Sequence, residues 1–366
     1  MNSPETTPEF PAEFFLRPLP YLTGDLPGIG GLLKESPEDF IVEEIPAYEP
    51  CGTGEHLFVW IQKRDLSADE MLRRIGRACE IPTHEIGAAG LKDRRGVTRQ
   101  FISIPHKCVE KVTTAQSEEL RILRMLPHTN KLKTGHLRGN RFEIRLRESR
   151  GSLEEIRRIA ERVSEWGFPN YYGEQRFGRD RENLEWGYGL LTGTRSVRKI
   201  PFAKRKFLLR LYLSSVQSGL FNLALARRIE QGRIRNVEWG DVLEVTRSGG
   251  PFVSVDPTVD QQRLETGEVG ITGPIFGGKM KQPTGIPAEW EAGILRESGL
   301  SPEVWGKYPQ LTSGTRRAYL IRPEGLTVEE EGLGTICFRF TLQSGAYATT
   351  LLREFQKGEG AAQCEK

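Results

Sequence analysis

Between Gly90 and Gln100 the chain places one carboxylate, Asp93, among four cations, Lys92, Arg94, Arg95 and Arg99. Gly90 and Gly96 bracket this charged turn, and the alternating stretch from Val97 to Ile104 continues as a strand. So dense a run of charge needs solvent, and glycines on either side let the backbone turn sharply. A loop delivered by one rigid element and leaving on a strand is therefore expected here. A lone aspartate in a field of cations stays ionised, as a nucleophile or base must. An ordinary charged surface turn has the same composition, so the rest of the chain has to decide between the two.

On either side the periodicities alternate between strand and helix. Phe40 to Ile45 and Leu57 to Ile61 read as strands, separated by a Pro-Gly turn cluster around Gly52. Ser67 to Glu70 forms a capping box that opens a helix to about Glu80, with Leu72, Ile75 and Cys79 as its apolar face. Residues 119–126 and 141–147 are strand-like and flank a basic loop from His128 to Asn140. A second capping box, Ser152 to Glu155, starts a helix that Gly167 ends.

Beyond Gly167 the character changes. The stretch from Asn170 to Gly178 mixes Tyr171, Tyr172 and Phe177 with amides and Arg176. Aromatics beside arginine can stack on unpaired bases and grip phosphates, and the same residues can form a packed turn. A long helix is expected from Lys206 to Gln231, with Leu209, Leu213, Val216, Leu220 and Leu223 on one side. Strands near 241–246 and 252–255 and helices near 258–266 and 287–298 complete a second α/β unit. From Thr315 the chain returns to strands, 316–322 and 335–342, and then a helix carrying Leu351, Leu352 and Phe355. The proline-rich residues 1–24 read as a flexible leader and the residues from Lys357 on as a frayed tail.

Net charge is only +3, yet its distribution is uneven. Residues 1–56 hold eleven acids against Arg17 and Lys34, whereas 121–150 hold nine cations against Glu143 and Glu148. Residues 195–210 carry seven cations and no acid. Two basic patches of this kind suit a polyanion, with nucleic acid the leading partner.

Other chemistries find little support. The five cysteines are scattered without a C-x-x-C pair, and no histidine has ligand spacing, so no metal is expected and a reducing cytoplasm is. No run is apolar enough for a membrane span, and no secretory signal is visible. Gly273 to Met280 fits the spacing of a phosphate loop but puts Met280 where a hydroxyl must ligate magnesium.

Taken together, these residues resemble the pseudouridine synthase D family, the tRNA pseudouridine-13 synthases. Gly90-Leu91-Lys92-Asp93 with Thr98 and Gln100 looks like that family's G-x-K-D-x-x-x-x-T-x-Q. Pro169 to Gly178 is similar to its P-N-Y-[FY]-G-x-Q-R-F-G. Glu38 to Glu44, Gly139 to Phe142, and Gly345 to Thr349 with Arg353 add supporting matches.

The resemblance implies an α+β fold with a mixed, largely antiparallel sheet and flanking helices. Its catalytic domain would be discontinuous, 25–167 plus 316–357, with a family-specific α/β domain at 168–315. The leader and tail would then be 1–24 and 358–366. By position, Asp93 would be catalytic, Phe40 and Tyr347 would shape the uracil pocket, and Asn140 would hold the substrate or the catalytic loop. Tyr347 stands where the family often has Phe. Lys34 is a further candidate, as the cation paired with Asp93, and Arg353 would also lie in the substrate site.

The implied reaction breaks the N1–C1′ bond, turns the uracil and rejoins it through C5. It is an isomerisation, so no cofactor, metal or nucleotide is expected. Asp93 could attack C1′, add to the uracil ring or remove a ribose proton. The target base must be flipped out of folded tRNA. Lys131, Lys133 and Arg138, then Arg176, Arg198, Lys204 and Arg205, are the candidate RNA contacts, lining a cleft between lobes. The expected protein is a monomer. A non-catalytic RNA-binding module or chaperone on the same fold, and a hydrolase of small nucleosides, are the competing classes.

Overall fold

The computed structural model describes residues 9–358 of the chain. Two compact units divide it: one joins the residues up to Gly24 to Trp166–Ile321, and the other joins Asp25–Glu165 to the residues from Arg322 on.

The second of these units is built on a nine-stranded sheet. Its main strands are β1 (Phe40–Pro46), β2 (His56–Arg64), β3 (Val97–Pro105), β4 (Leu120–His128), β5 (Leu137–Arg147), β6 (Glu324–Gly332) and β7 (Thr335–Gln343). They run in the order β6-β7-β5-β1-β3-β2-β4, and two two-residue strands, Leu32–Leu33 and Gly87–Ala88, pair with β5 and β3. Only β1 and β3 run parallel, with Val42 opposite Thr98, and every other pairing is antiparallel. Alternation explains the strands. In β5, Phe142, Ile144 and Leu146 are buried, while the charged residues between them point the other way.

The helix Ala68–Cys79 begins where Ser67 Oγ accepts the Glu70 amide at 3.2 Å. Its apolar face centres on Met71, Ile75 and Cys79, with Leu72 only half-buried, so the stripe is turned one residue from the expected one. Those side chains pack on Leu57, Val59, Ile61, Ile102 and Ile104, each fully buried residue being worth about 1.5–3 kcal/mol. In the helix Leu153–Trp166 the expected capping box forms, Ser152 and Glu155 exchanging bonds of 2.8 and 3.2 Å.

The other unit surrounds the helix Arg205–Glu230, which is buried on nearly all sides between Leu213 and Ala226 rather than along one stripe. Four strands, ordered Pro251–Val253, Val242–Val245, Val269–Ile275 and Thr315–Ala318, form its sheet. The phosphate-loop look-alike begins inside one of these strands, Gly273 facing Arg317 in the ladder. Two ion pairs are buried here, Arg228–Asp241 at 2.6 Å and Arg316–Glu291 at 2.7 Å.

The expectation of a flexible leader is corrected for residues 9–24. A short helix, Ala12–Leu16, forms there, and Phe10, Phe14, Phe15 and Leu19 pack on the same core as Tyr188 and Leu220. Three phenylalanines supply more apolar area than the prolines around them can keep in water. Residues 1–8 and 359–366, including Cys364, lie outside the described residues. Lys357, placed in the tail by its sequence, is fastened by its Nζ to the Leu26 carbonyl at 2.7 Å. Cys51, Cys79, Cys108 and Cys337 are free thiols. Among the described residues, no helix is long and apolar enough to cross a membrane.

Candidate active site

The loop from Gly90 to Gly96 lies over the core face of the sheet, and buried polar side chains hold its backbone from below. Gln100 on β3 donates to the Gly90 carbonyl at 3.2 Å, and the Gly135 amide donates to Ala89 at 2.8 Å. Lys63, fully buried at the end of β2, gives its ammonium to the Asp93 carbonyl and to Leu66 O at 2.9 Å. Where the loop leaves, the Asp65 amide donates to Gly96 O at 3.1 Å. Gly96 sits at φ +142°, and a Cβ there would meet the Phe40 carbonyl at 2.5 Å, so only glycine fits.

Lys92 points inward. Its ammonium donates to Asn140 Oδ1 at 2.6 Å and lies 3.3 Å from Glu44 Oε2, in a pair almost wholly shielded from solvent. Asn140 and Glu44 face one another in the β1–β5 register, which sets both in place for this contact. Burial raises the Glu44 pKa against the pull of Lys92, and burial lowers that of Lys92 against the pull of Glu44. Burial likewise pushes Lys63 down to about 8, opposed by Asp93 and reinforced by Lys92.

Asp93 points the other way, its side chain 63% exposed. Its ionic partner is Lys34, with Nζ 3.4 Å from Oδ2. Lys34 holds a left-handed conformation at φ +61°, rare outside glycine, and its side chain is only 9% exposed. The ammonium also lies 4.2 Å from the centroid of the Phe40 ring. Phe40 itself is buried, edge-on to Phe142 at 6.3 Å. Below it, Asp39 receives a fork from Arg147 at 2.7–3.0 Å, which fixes the turn leading into β1.

The expected ring of four cations around Asp93 is therefore corrected. Arg94 pairs with Asp65 at 3.6 Å, Arg99 with Glu43 at 3.2 Å, and Lys92 with Glu44, while Arg95 is exposed. Successive residues cannot all face one partner, and Lys92, Arg94 and Arg99 each found another carboxylate.

Tyr347, 46% exposed, precedes the helix Ala348–Gln356, on which Arg353 lies 3.9 Å from Glu354. Lys131 is tied to the His84 carbonyl at 2.6 Å, and Lys133 and Arg138 are exposed. In the other unit, Arg176 donates to Ser218 Oγ at 3.2 Å and lies over Tyr172, and Tyr171 is buried with its hydroxyl on Pro20 O. Asn170 donates to Ala318 O at 2.9 Å and receives Arg317. This loop is a packed turn, and Tyr171 has no free face for a base. Arg198 and Lys204 are exposed, while Arg205 donates to Ile200 O at 3.3 Å.

Lys63 was missed by the sequence reading although a signal was present. It continues the row Leu57, Val59, Ile61 at period two, and a lysine extending a buried row marks a buried cation.

The sequence profile described as tRNA pseudouridine synthase D matches residues 19–194 and 194–355. A tRNA pseudouridine synthase D of Anaeromyxobacter dehalogenans is 39% identical over 342 residues, 93% of this chain and 97% of that one. That of Thermus thermophilus is 40% identical over 341 residues, 93% of this chain and 92% of that one. A Methanosarcina mazei crystal structure described as tRNA pseudouridine synthase D superposes with a TM-score of 0.76 at 26% identity, covering 98% of this chain and all of that one. The chain belongs to the tRNA pseudouridine synthase D family.

Proposed function

We propose that this protein isomerises a uridine of tRNA, expected at position 13, to pseudouridine, with Asp93 as the residue that acts on the nucleoside. The observation that carries the reading is a single exposed carboxylate on a backbone held rigid from beneath, with Lys34 as its cation. Such a group is pre-organised for a reacting centre outside the protein, and little of its freedom need be lost on binding.

The chemistry balances within the substrate. The N1–C1′ bond breaks, the uracil turns, C5 bonds to C1′, the C5 proton leaves and N1 takes up a proton. Asp93 serves this as a nucleophile at C1′, as an adduct former on the ring, or as a base toward the ribose. Lys34 pairs with the carboxylate before the base arrives and offers a donor once it does. Phe40 supplies a ring at the floor of this corner, and Tyr347 and Arg353 are assigned to the uracil and its ribose-phosphate. Asn140 acts through Lys92, on the loop rather than on substrate.

The unit carrying Asp93 is assigned the catalysis and the Trp166–Ile321 unit, with the segment up to Gly24, an RNA-holding role. Lys131, Lys133, Arg138, Arg176, Arg198, Lys204 and Arg205 are assigned phosphate contacts. The protein is assigned to the cytoplasm, as a monomer without cofactor. The test is tritium release from tRNA labelled at uracil C5. Wild type should release the label and Asp93→Asn should not, at equal tRNA affinity. Equal release by both would remove Asp93 from the centre, and tight binding without release by either would make this a binding protein.

A further inference from the structure

The acid-free stretch from Arg195 to Arg210 carries two large apolar side chains that the fold leaves in water. Phe202 is 85% exposed and Phe207 68% exposed. Ile200, between the two short turns Val197–Lys199 and Phe202–Lys204, is buried in the core and anchors the segment, so the exposure of its neighbours is not that of a loose end. Arg205 stacks on Phe202 with its guanidinium carbon 5.3 Å from the ring centroid. Arg198, Lys199, Lys204, Lys206 and Arg210 are exposed around them.

Each feature carries a cost in the free protein. An exposed phenylalanine forgoes the burial that stabilises others of its kind. Six neighbouring cations repel one another, and those opening the helix Arg205–Glu230 oppose its dipole, since its first turn holds no acid. A partner that repays both must be polyanionic and present flat apolar faces. Nucleic acid with unstacked bases has that chemistry. An acidic protein would repay the charges only, and an apolar protein surface would leave the cations desolvated.

We propose that Phe202 and Phe207 form a stacking platform for unpaired bases of the RNA substrate, with Arg198, Lys204 and Arg205 gripping the phosphates beside them. This rests on the proposed tRNA activity for the identity of the RNA, and it concerns bases other than the uridine that reacts. The bases it takes are those of loops or ends, because a paired duplex shows no open faces to a ring. Specificity for folded tRNA over plain double helix follows at this surface without a base-edge hydrogen bond.

The test measures affinity of the full chain for unmodified tRNA and for a fully paired RNA duplex, across a range of potassium chloride. Phe202→Ala and Phe207→Ala should each weaken tRNA binding by about 5- to 150-fold. The slope of log affinity against log salt should stay that of wild type, because no phosphate contact is lost. Phe→Tyr at either position should keep the affinity, and Phe→Leu should lose it as alanine does. Lys204→Glu should flatten the salt slope instead. Unchanged tRNA affinity in the double alanine variant would overturn the platform, as would equal weakening on the duplex or full rescue by leucine. A shift in oligomeric state in that variant, with RNA affinity intact, would make the patch a contact between copies and overturn it too. Wild type that binds tRNA in this phenylalanine-dependent way without releasing tritium would sink the enzymatic reading and leave the platform standing.

Discussion

The loop around Asp93 and the loop around Asn170 are the two stretches through which the sequence resembles its family, and they are built on opposite plans. In the first, buried side chains grip the backbone, Gln100 at Gly90 and Lys63 at Asp93, and the loop's one carboxylate is left outward. In the second, the side chains themselves are consumed. Tyr171 is buried, Asn170 bridges Ala318 and Arg317, and Asn222 takes the amide of Tyr172 at 2.8 Å. Specificity of sequence thus has two physical sources. On the proposed function a displayed residue is restricted by the chemistry it performs, and a packed residue by the space and partners it must satisfy.

The sharpest break between the two loops comes from Asp93→Asn. Tritium release should fall by about a thousandfold or more, while the melting temperature stays near that of wild type, because the carboxylate is largely exposed and an amide oxygen still accepts from Lys34. Loss of stability comparable to a core mutation would show the first loop to be structural like the second.

Next in size is Lys63→Met. Freed from its clamp, the Asp93 backbone can move by an ångström, and kcat should drop by about tenfold to a hundredfold with KM for tRNA little changed. Stability should hold or rise, since an apolar side chain of similar length removes a buried charge. A variant that loses stability and keeps kcat would make Lys63 a mere core residue.

For the second loop the expected result is reversed. Asn170→Ala removes bonds to Ala318 and Arg317 and should cost about 1–3 kcal/mol of stability. Turnover per folded molecule at a permissive temperature should be preserved. A catalytic defect without a thermal one would place that loop in the reaction.

The smallest effect is one of pH. Burial drives Lys63 to about 8 in the folded protein, whereas an unfolded lysine titrates near 10.4. Between these values the unfolded chain binds the extra proton, so the native state gains stability as pH rises, by at most about 1.4 kcal/mol per pH unit. Below pH 8 the penalty is fully present. The advantage of Lys63→Met over wild type in urea denaturation should therefore shrink from pH 8 to about 10.4. A constant gap would mean that Lys63 is not titrating there.

Legibility along the chain followed burial geometry. Helices with serine caps are legible to within a residue or two, and strands with one polar face are legible in place, though His56–Arg64 and Leu137–Arg147 extend three and four residues beyond the expected ends. The edge strand Glu324–Gly332 was passed over, because its outward run of glutamates reads like a solvated loop. The helix Glu182–Thr192 was passed over as well. It is buried on several sides, lacks a polar cap, and contains Gly187 where a Cβ would press on the Tyr212 carbonyl.

By itself the sequence determined the candidate acid, the loop that carries it, the two basic stretches and the alternation of sheet and helix. Each is a local matter of residue type and spacing, and periodicity makes it visible. Tertiary structure decided the partnerships. Lys34 reaches Asp93 across 59 residues, Lys92 turns from Asp93 to Glu44 and Asn140, and Lys63 holds the loop by its backbone. It also decided that Phe202 and Phe207 stay in water while Phe14 and Phe15 of the supposed leader do not. Charges choose the nearest counter-charge in space, and apolar rings the nearest unfilled surface, and neither distance is written along the chain.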